Sequence, residues 1–465
     1  MKLLLIHPSQ RVAYGDMTPP SCPPFGIAYI ASFLEREGRE VSIIDVDAEG
    51  LNMEGLGKEI EKLSPDLVGI TATTPLIKNA FEIARIAKSQ GRKVVLGGIH
   101  PTVNPEECML SEYVDFVVVG EGELTTLELL KALEENGNFS NIDGLVYKEN
   151  GEIIANPPRR LIKDLDIIPF PARHLFKNFK YSYPDTLKTP AIPIMTSRGC
   201  PGQCTYCCTK QICGLSYRFR SAENVIAEIE ELIEKYGAKE IHFSDDNFVV
   251  NKERILELCK KIKERGLHEK VLFAVPQGLR VDQVDEEVLR ALRGINVYSL
   301  GFGVESGNEN VLKTIKKNTS LEQARKAIAL SKKLGFEVWT FFIIGLPGDN
   351  EETIKDTVDF ALELDTDLAK FLILKPFPGT EAFKWLDERG LIVDKDYDKY
   401  GVYGKPSHKL PEVSQERMVE IQRKAYKKFY LRPKKIIQHV LRIKSFRRLK
   451  LNAEAAISLF KLTRN

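Results

Sequence analysis

The chain begins with short runs that are apolar at nearly every position, separated by stretches in which apolar residues recur at helical spacing. Lys2 to Ile6, Val41 to Val46, Leu67 to Thr73, Lys93 to Leu96 and Phe116 to Val119 are runs of the first kind. Unbroken apolar runs of this length fit strands of a parallel sheet covered on both faces. Ile27 to Glu37 and Leu76 to Gln90 are of the second kind, and each stops at a glycine, Gly38 and Gly91, as helices do. The alternation predicts an α/β fold, with a doubly wound Rossmann-like domain over 1–140 whose ligand crevice lies at the strand C-terminal ends.

Residues 141–189 hold an expected β-hairpin, Ile142 to Ile154 turning at Glu149-Asn150-Gly151, and then a proline-rich connection. A second series fills 190–380: Ile192 to Thr196, Glu240 to Ser244, Val271 to Val275, Val297 to Gly301, Val338 to Ile343 and Ala369 to Leu374. Each run precedes a helical stretch, so six βα units predict a partial (β/α)6 TIM-like barrel with its functional loops at the strand C-terminal ends. Residues 381–465 are expected to form a helical C-terminal region with a basic tail.

Composition narrows the class. With 43% hydrophobic and 28% charged residues, the chain is globular rather than disordered. No run approaches the ~18 apolar residues of a spanning helix, and the four apolar residues after Lys2 are too few for a signal-peptide core, so a cytoplasmic protein is expected. The net charge of +2 conceals an asymmetry: from Arg423 onward fourteen Lys and Arg face one acid, Glu454, while 53 basic residues face 64 acidic ones before it. Lys434 to Lys450 interleaves its cations with Ile436, Ile437, Val440, Leu441, Ile443, Phe446 and Leu449. That pattern suits an amphipathic helix on an anionic membrane surface. A solvated helix docked on the acidic body is the plainer alternative. Nucleic acid would accept the same charges, although none is expected as a partner.

Five of the eight cysteines, Cys200, Cys204, Cys207, Cys208 and Cys213, fall within fourteen positions, which points to metal in a reducing compartment rather than a disulfide framework. The spacing is C-x3-C-x2-C, directly after the strand expected to end at Thr196. Three thiolates on one loop can hold three irons of a [4Fe-4S] cube and leave the fourth open, whereas structural zinc takes four ligands, usually in two separated pairs. Cys208 or Cys213 as a fourth ligand would close the site. In the N-terminal domain the strands are followed by Pro8-Ser9, Thr71 to Pro75, Gly97-Gly98-Ile99-His100-Pro101 and Gly120-Glu121-Gly122-Glu123. Small residues at such an edge let the backbone approach a large planar or anionic ligand; otherwise they only cap strands.

Cys200, Cys204, Tyr206 and Cys207 match in order the C-x3-C-x-aromatic-C motif, and on this motif the chain resembles the radical S-adenosylmethionine (SAM) superfamily over about Pro190 to Thr380. The resemblance implies a [4Fe-4S] cluster on Cys200, Cys204 and Cys207 whose open iron chelates SAM, which is cleaved to a 5′-deoxyadenosyl radical. It implies SAM contacts at Tyr206, at Asp245 and Asp246 for the amino group, at Gln277 and Arg280 for the carboxylate, at Glu305 and Ser306 for the ribose, and at Gly345 for the adenine. Read as structure alone, Asp246 or Asn247 would cap the next helix, and Arg280 would make a salt bridge.

Placed before such a barrel, the first domain resembles the cobalamin-binding domains of B12-dependent radical SAM enzymes. Pro8, Thr73, Gly97, Gly98, His100, Gly120, Glu121 and Gly122 are the implied contacts, with His100 equally suited to ordering its own loop. The chain departs from the D-x-H-x-x-G cobalamin pattern, having His7-Pro8-Ser9-Gln10-Arg11 after the first strand, so cobalamin is expected base-off with no histidine ligand. A dinucleotide is the other reading, but no G-x-G-x-x-G follows that strand.

The function implied is methylation of an unactivated carbon of a small-molecule or lipid-like substrate through the adenosyl radical and methylcobalamin. One rival keeps both cofactors for cyclisation or carbon–carbon coupling on a lipid or tetrapyrrole. Another is a non-catalytic iron–sulfur redox sensor. No residue is identified as a general acid or base. Without a second cysteine cluster, an external reductant such as ferredoxin or flavodoxin is expected.

Overall fold

The computed structural model describes residues 1–14, 22–135, 137–177, 181, 186–402, 405–441 and 449–450, and all of their side chains except those of Gln277 and His439. The first sheet contains β1 (Lys2–His7), β2 (Glu40–Asp45), β3 (Leu67–Thr71), β4 (Lys93–Gly97), β5 (Phe116–Val118), β6 (Leu145–Glu149) and β7 (Glu152–Ala155). Its order is β2-β1-β3-β4-β5-β6-β7. The first five strands are parallel, and two apolar clusters cover the two faces of the sheet, as the apolar runs require.

The hairpin differs from expectation. β6 pairs antiparallel to β5, with Phe116 opposite Tyr147 and Val118 opposite Leu145, so β6 and β7 extend the first sheet instead of belonging to the connection. Burial explains the pairing: Leu145, Val146 and Tyr147 are almost wholly buried, and Tyr147 packs with Phe116 around the Phe139 ring.

The second body is built on β8 (Ala191–Ile194), a two-residue ladder of β9 (Ser197–Arg198) and β10 (Arg218–Phe219), then β11 (Glu240–Phe243), β12 (Leu272–Leu279), β13 (Val297–Glu305), β14 (Glu337–Ile344) and β15 (Leu368–Ile373). Six of these strands form an all-parallel sheet in the order β15-β14-β13-β12-β11-β8, and its two edge strands are not paired to each other among the described residues, which is the partial barrel expected. The exposed edge of β15 is covered by helix Gln415–Tyr430. Tyr430 Oη takes the Ala369 N–H at 3.0 Å and donates to the Ala369 carbonyl at 2.9 Å, Tyr426 Oη takes the Phe371 N–H at 3.2 Å, and Gln422 Nε2 donates to the Phe371 carbonyl at 2.7 Å. Side chains thus satisfy backbone groups that an open edge would expose.

The C-terminal region is not helical throughout. Between helices Glu381–Asp387 and Gln415–Tyr430, residues 391–402 form a strap containing one 3₁₀ turn, Tyr397–Tyr400. It crosses to the first domain, where the Val402 N–H donates to the Ala13 carbonyl at 2.8 Å, Lys78 pairs with Asp396 at 2.5 Å, and the Tyr397 ring stands edge-on to His100 at 5.0 Å.

Candidate functional site

The C-terminal edges of the two parallel sheets face each other, and the candidate site lies where they meet. The cysteine loop starts and ends on the β9–β10 ladder, which fixes its mouth. Gly199 has φ +88°, and a Cβ there would stand 2.3 Å from the Ser216 carbonyl oxygen, so only glycine fits this turn. Below it, Asp245 accepts the Thr196 N–H at 2.7 Å, the Thr196 hydroxyl at 2.9 Å, the Ser197 N–H and the Ser197 hydroxyl at 2.9 Å. Three of those bonds are to Oδ1 and one to Oδ2, so the buried Asp245 braces the chain just beyond the end of β8. Of the acidic pair it is Asp246, exposed, that faces the cysteine loop, with Oδ2 accepting the Gly199 N–H at 3.0 Å. Neither Asp246 nor Asn247 caps the following helix; Asn251 does, accepting from Arg254 N–H.

A Cβ on Gly202 would stand 3.2 Å from Cys200 Sγ and 3.9 Å from Cys204 Sγ, so these two sulfurs flank one backbone position. Burial pushes the Cys204 thiol up, Lys317 and Arg280 act against that, and Cys207 stands near enough to oppose its thiolate. Among the described residues no three His, Cys, Asp or Glu side chains are close enough to share a single metal ion. A four-iron cube needs a different arrangement, one thiolate at each of three irons, and three cysteines on one loop, two around Gly202, with cations beside Cys204, fit it. Cys213 lies on the other side of the turn, its Cβ 3.1 Å from where a Cβ on Gly199 would stand. Burial pushes the thiols of Cys208 and Cys213 up to about 12.

Around the loop the other expected SAM residues divide. Glu305, with φ +70°, pairs with the buried Lys317 at 2.8 Å and hydrogen-bonds the Tyr206 hydroxyl, whose pKa is raised by burial and then by the Glu305 charge. Tyr206, Glu305 and Lys317 therefore form one network beside Cys204. Arg280 holds Asp282 at 3.0 Å and the Lys317 carbonyl at 2.8 Å, so it makes the salt bridge while still lining the approach to Gly202. Ser306 is fully buried, bonded to the Thr357 hydroxyl at 3.1 Å, and faces helix Glu351–Leu364 rather than the loop. The Gln277 side chain lies outside the described residues. Asn247 and Lys317 were missed as site residues in the sequence; Asn247 Nδ2 stands 3.6 Å from Cys200 Sγ.

Gly345 is held from two sides. Its N–H donates to Asp349 Oδ2 at 3.0 Å, and its carbonyl oxygen lies 2.9 Å from His408 Nε2. Burial pushes Asp349 from 3.8 up to about 6, against its bonds to Thr353, Leu346 and Gly345. Burial likewise holds His408 down to about 4, from 6.5. The raised carboxyl stabilises fully below pH 3.8 and loses this as the pH rises through about 6. The depressed imidazole stabilises above pH 6.5 and loses this as the pH falls through about 4. The slopes oppose each other in one window, each worth about 3 kcal/mol. Denaturant midpoints at pH 4.5 and 6.5 should therefore show His408→Gln losing stability relative to wild type as pH rises, and Asp349→Asn gaining it.

On the facing edge, four glycines do different work. A Cβ on Gly120 would meet nothing within 4 Å, and one on Gly97 only Val118 Cβ at 4.0 Å; both leave bare backbone, as a flat ligand requires. Gly98, with φ +98°, would clash with the Ala72 carbonyl at 2.9 Å, and Gly122 with Ile30 at 2.8 Å, so these two serve packing. Thr73, after β3, is exposed, and Pro8 is buried at the end of β1. His100 is wholly buried, with Nδ1 3.3 Å from the Thr74 hydroxyl. Its Nε2 lies 3.7 Å from Glu107, too far for a hydrogen bond, and burial holds its pKa down to about 4, so it is a neutral, loop-ordering ring. His7 Nδ1 sits 3.6 Å from Asp45. The bare backbone at Gly97 and Gly120 suits the expected cobalamin. Gly97→Leu should lower cobalamin retained per chain about tenfold, read by absorbance after gel filtration, with little change in unfolding midpoint.

Glu121 joins the two edges. It pairs with Arg218 at 2.7 Å and Arg198 at 3.2 Å, and Arg198 also meets Glu123 at 2.6 Å. Arg198 and Arg218 are the ladder residues at the base of the cysteine loop, so Glu121 is engaged with the barrel. Burial alone would raise Glu121, yet Arg218 and Arg198 hold it below the usual carboxylate range.

Residues 194–361 match the family model described as the radical SAM superfamily, and residues 13–130 the model described as the B12 binding domain. The chain is 38% identical to an uncharacterized methyltransferase of Pyrococcus horikoshii, over 95% of each chain. It is 31% identical to cytidylyl-2-hydroxyethylphosphonate methyltransferase of Streptomyces wedmorensis, over 84% of this chain and 82% of that one. It is 28% identical to an anaerobic magnesium-protoporphyrin IX monomethyl ester cyclase of Rubrivivax gelatinosus, over 93% and 78%. In fold it is similar to the radical SAM methyltransferase TsrM of Kitasatospora setae, with a TM-score of 0.71 at 21% identity over 83% and 76% of the two chains. With both domain models matched in chain order and a relative of this identity along nearly its whole length, the chain belongs to the cobalamin-dependent radical SAM enzymes.

Proposed function

We propose that the protein is a carbon methyltransferase using a [4Fe-4S] cluster, SAM and cobalamin on a small-molecule substrate. The observation that carries this reading is the ion-paired contact of the two edges: the loop with bare Gly120 is tied by Glu121 to Arg198 and Arg218 at the base of the three-cysteine loop. When bound, the cluster and SAM supply a hydrogen-abstracting radical, and cobalamin supplies the methyl group. The chain's part is positional. Cys200, Cys204 and Cys207 hold the cluster; Tyr206, Asp246, Arg280 and Glu305 are the groups offered to SAM; Gly97 and Gly120 offer bare backbone to the corrin; and the 391–402 strap closes a third side against water.

Anaerobic reconstitution followed by reduction with excess SAM tests it. 5′-Deoxyadenosine and S-adenosylhomocysteine together are the expected products. The likeness to a cyclase favours one second reading, cyclisation or coupling, for which 5′-deoxyadenosine would form without S-adenosylhomocysteine. The appearance of neither overturns both readings.

The C-terminal helix fits contact with an anionic lipid surface. In its described part, Pro433–Leu441, Lys435 is buried against Asp365 at 3.1 Å and the exposed Lys434 reaches the same carboxylate at 2.7 Å, while Ile436, Ile437, Val440 and Leu441 are exposed, so the apolar side faces outward. Residues 442–448 and 451–465 of the tail lie outside the described residues. Among the described residues no helix is long and apolar enough to cross a membrane. Salt-sensitive sedimentation with phosphatidylserine vesicles, but not phosphatidylcholine vesicles, is the expected result.

A further inference from the structure

The proposed reaction takes an electron from outside the chain, and one surface is built to receive it. Beside the cysteine loop lies a polar cleft of about 150 Å³. Its floor is the turn Pro201-Gly202-Gln203, and its walls include Arg280, Gln283 and Lys316.

The cluster ligands lie directly under that floor. The Gly202 N–H is 3.4 Å from Cys200 Sγ, and the absence of a side chain at Gly202 lets the cleft reach within contact of both Cys200 and Cys204. The wall is also linked to a thiolate: Gln283 Oε1 accepts from Asn247 Nδ2 at 2.8 Å, and the same amide nitrogen stands 3.6 Å from Cys200 Sγ.

Charge identifies the visitor. The lining carries Arg280 and Lys316 against one carboxylate, Asp282. Lys316 shares Glu381 with Lys210, two cations on one acid, and outside the lining the exposed Lys313 stands three residues earlier in helix Glu309–Thr314. The chain before residue 423 has an excess of eleven acids, 64 against 53, so within that body a cationic rim beside the cysteine loop is a distinct place for an acidic partner to settle.

We propose that this cleft is the docking surface for a small acidic, low-potential one-electron carrier protein. The carrier loses one electron and the cluster gains it; no bond is made or broken at the surface. The proposal rests on the cofactor reading above.

Stopped-flow reduction of the reconstituted cluster tests it, with reduced flavodoxin at low salt as the probe and dithionite as a small-molecule control. The Lys313→Glu/Lys316→Glu variant should react with flavodoxin about tenfold more slowly and show a flatter salt dependence, with iron content and the dithionite rate unchanged. Lys316→Gln should show the same trend more weakly. Equal flavodoxin rates in variant and wild type overturn the proposal, as does an equal slowing with both reductants. If dithionite leaves the wild-type cluster oxidised, the cofactor reading itself fails.

Discussion

Cys204→Ala is expected to hold about a tenth of the wild-type iron after anaerobic reconstitution, and to form no 5′-deoxyadenosine. With three thiolates on one loop, none is redundant: the cube would be left on two corners, and its sulfur nearest Lys317 and Arg280 would be gone. Iron assay and mass spectrometry read both effects. Cys208→Ala and Cys213→Ala are the matched controls and should keep their iron. Cys213 lies behind the Gly199 turn, and both thiols are pushed up to about 12 by burial. Iron retained by Cys204→Ala, or lost from either control, would mean a different ligand set.

Glu121→Ala should destabilise the protein by about 3 kcal/mol, the lower end of the cost of removing one partner from a buried ion cluster. The lower end applies because Arg198 keeps Glu123 and Arg218 keeps the Ile162 carbonyl at 2.6 Å. Glu121→Gln retains one acceptor and should lose less. A lowered carboxyl gives its stabilisation above its unfolded value of 4.5 and loses it as the pH falls through the folded one. The gap between Glu121→Ala and wild type should therefore be constant above about pH 5 and narrow progressively as the pH falls below 4.5, as seen in denaturant midpoints taken from pH 7 downward. A gap that does not narrow anywhere below pH 4.5 would assign the loss to packing rather than charge.

The strands were legible because burial on both faces writes itself into consecutive residues. Val41 to Val46 and Val338 to Ile343 are each found in place within a residue or two. The partner of the β6–β7 hairpin was not legible, since alternation describes a strand's faces and not the strand beside it. The cysteine loop was readable from spacing alone. The posts that hold it were not: Glu121 meets Arg198 and Arg218 across 77 and 97 positions, and no local pattern registers such pairs. Lys317 escaped for the same reason, as it belongs to a loop beyond helix Glu309–Thr314 and reaches Glu305 through space. Asp245 and Asp246 are adjacent in sequence but divide between bracing and facing the site, a difference set by which side of the β11 end each occupies.

The strap at 391–402 has a consequence for assembly order. The first sheet can form as soon as its hairpin leaves the ribosome, yet the Ala13 carbonyl, Lys78 and the His100 ring receive their partners only after some 240 further residues have been made. A chain that ends before residue 391 therefore leaves that rim of the first domain without the backbone bond, the ion pair and the ring contact that the strap supplies.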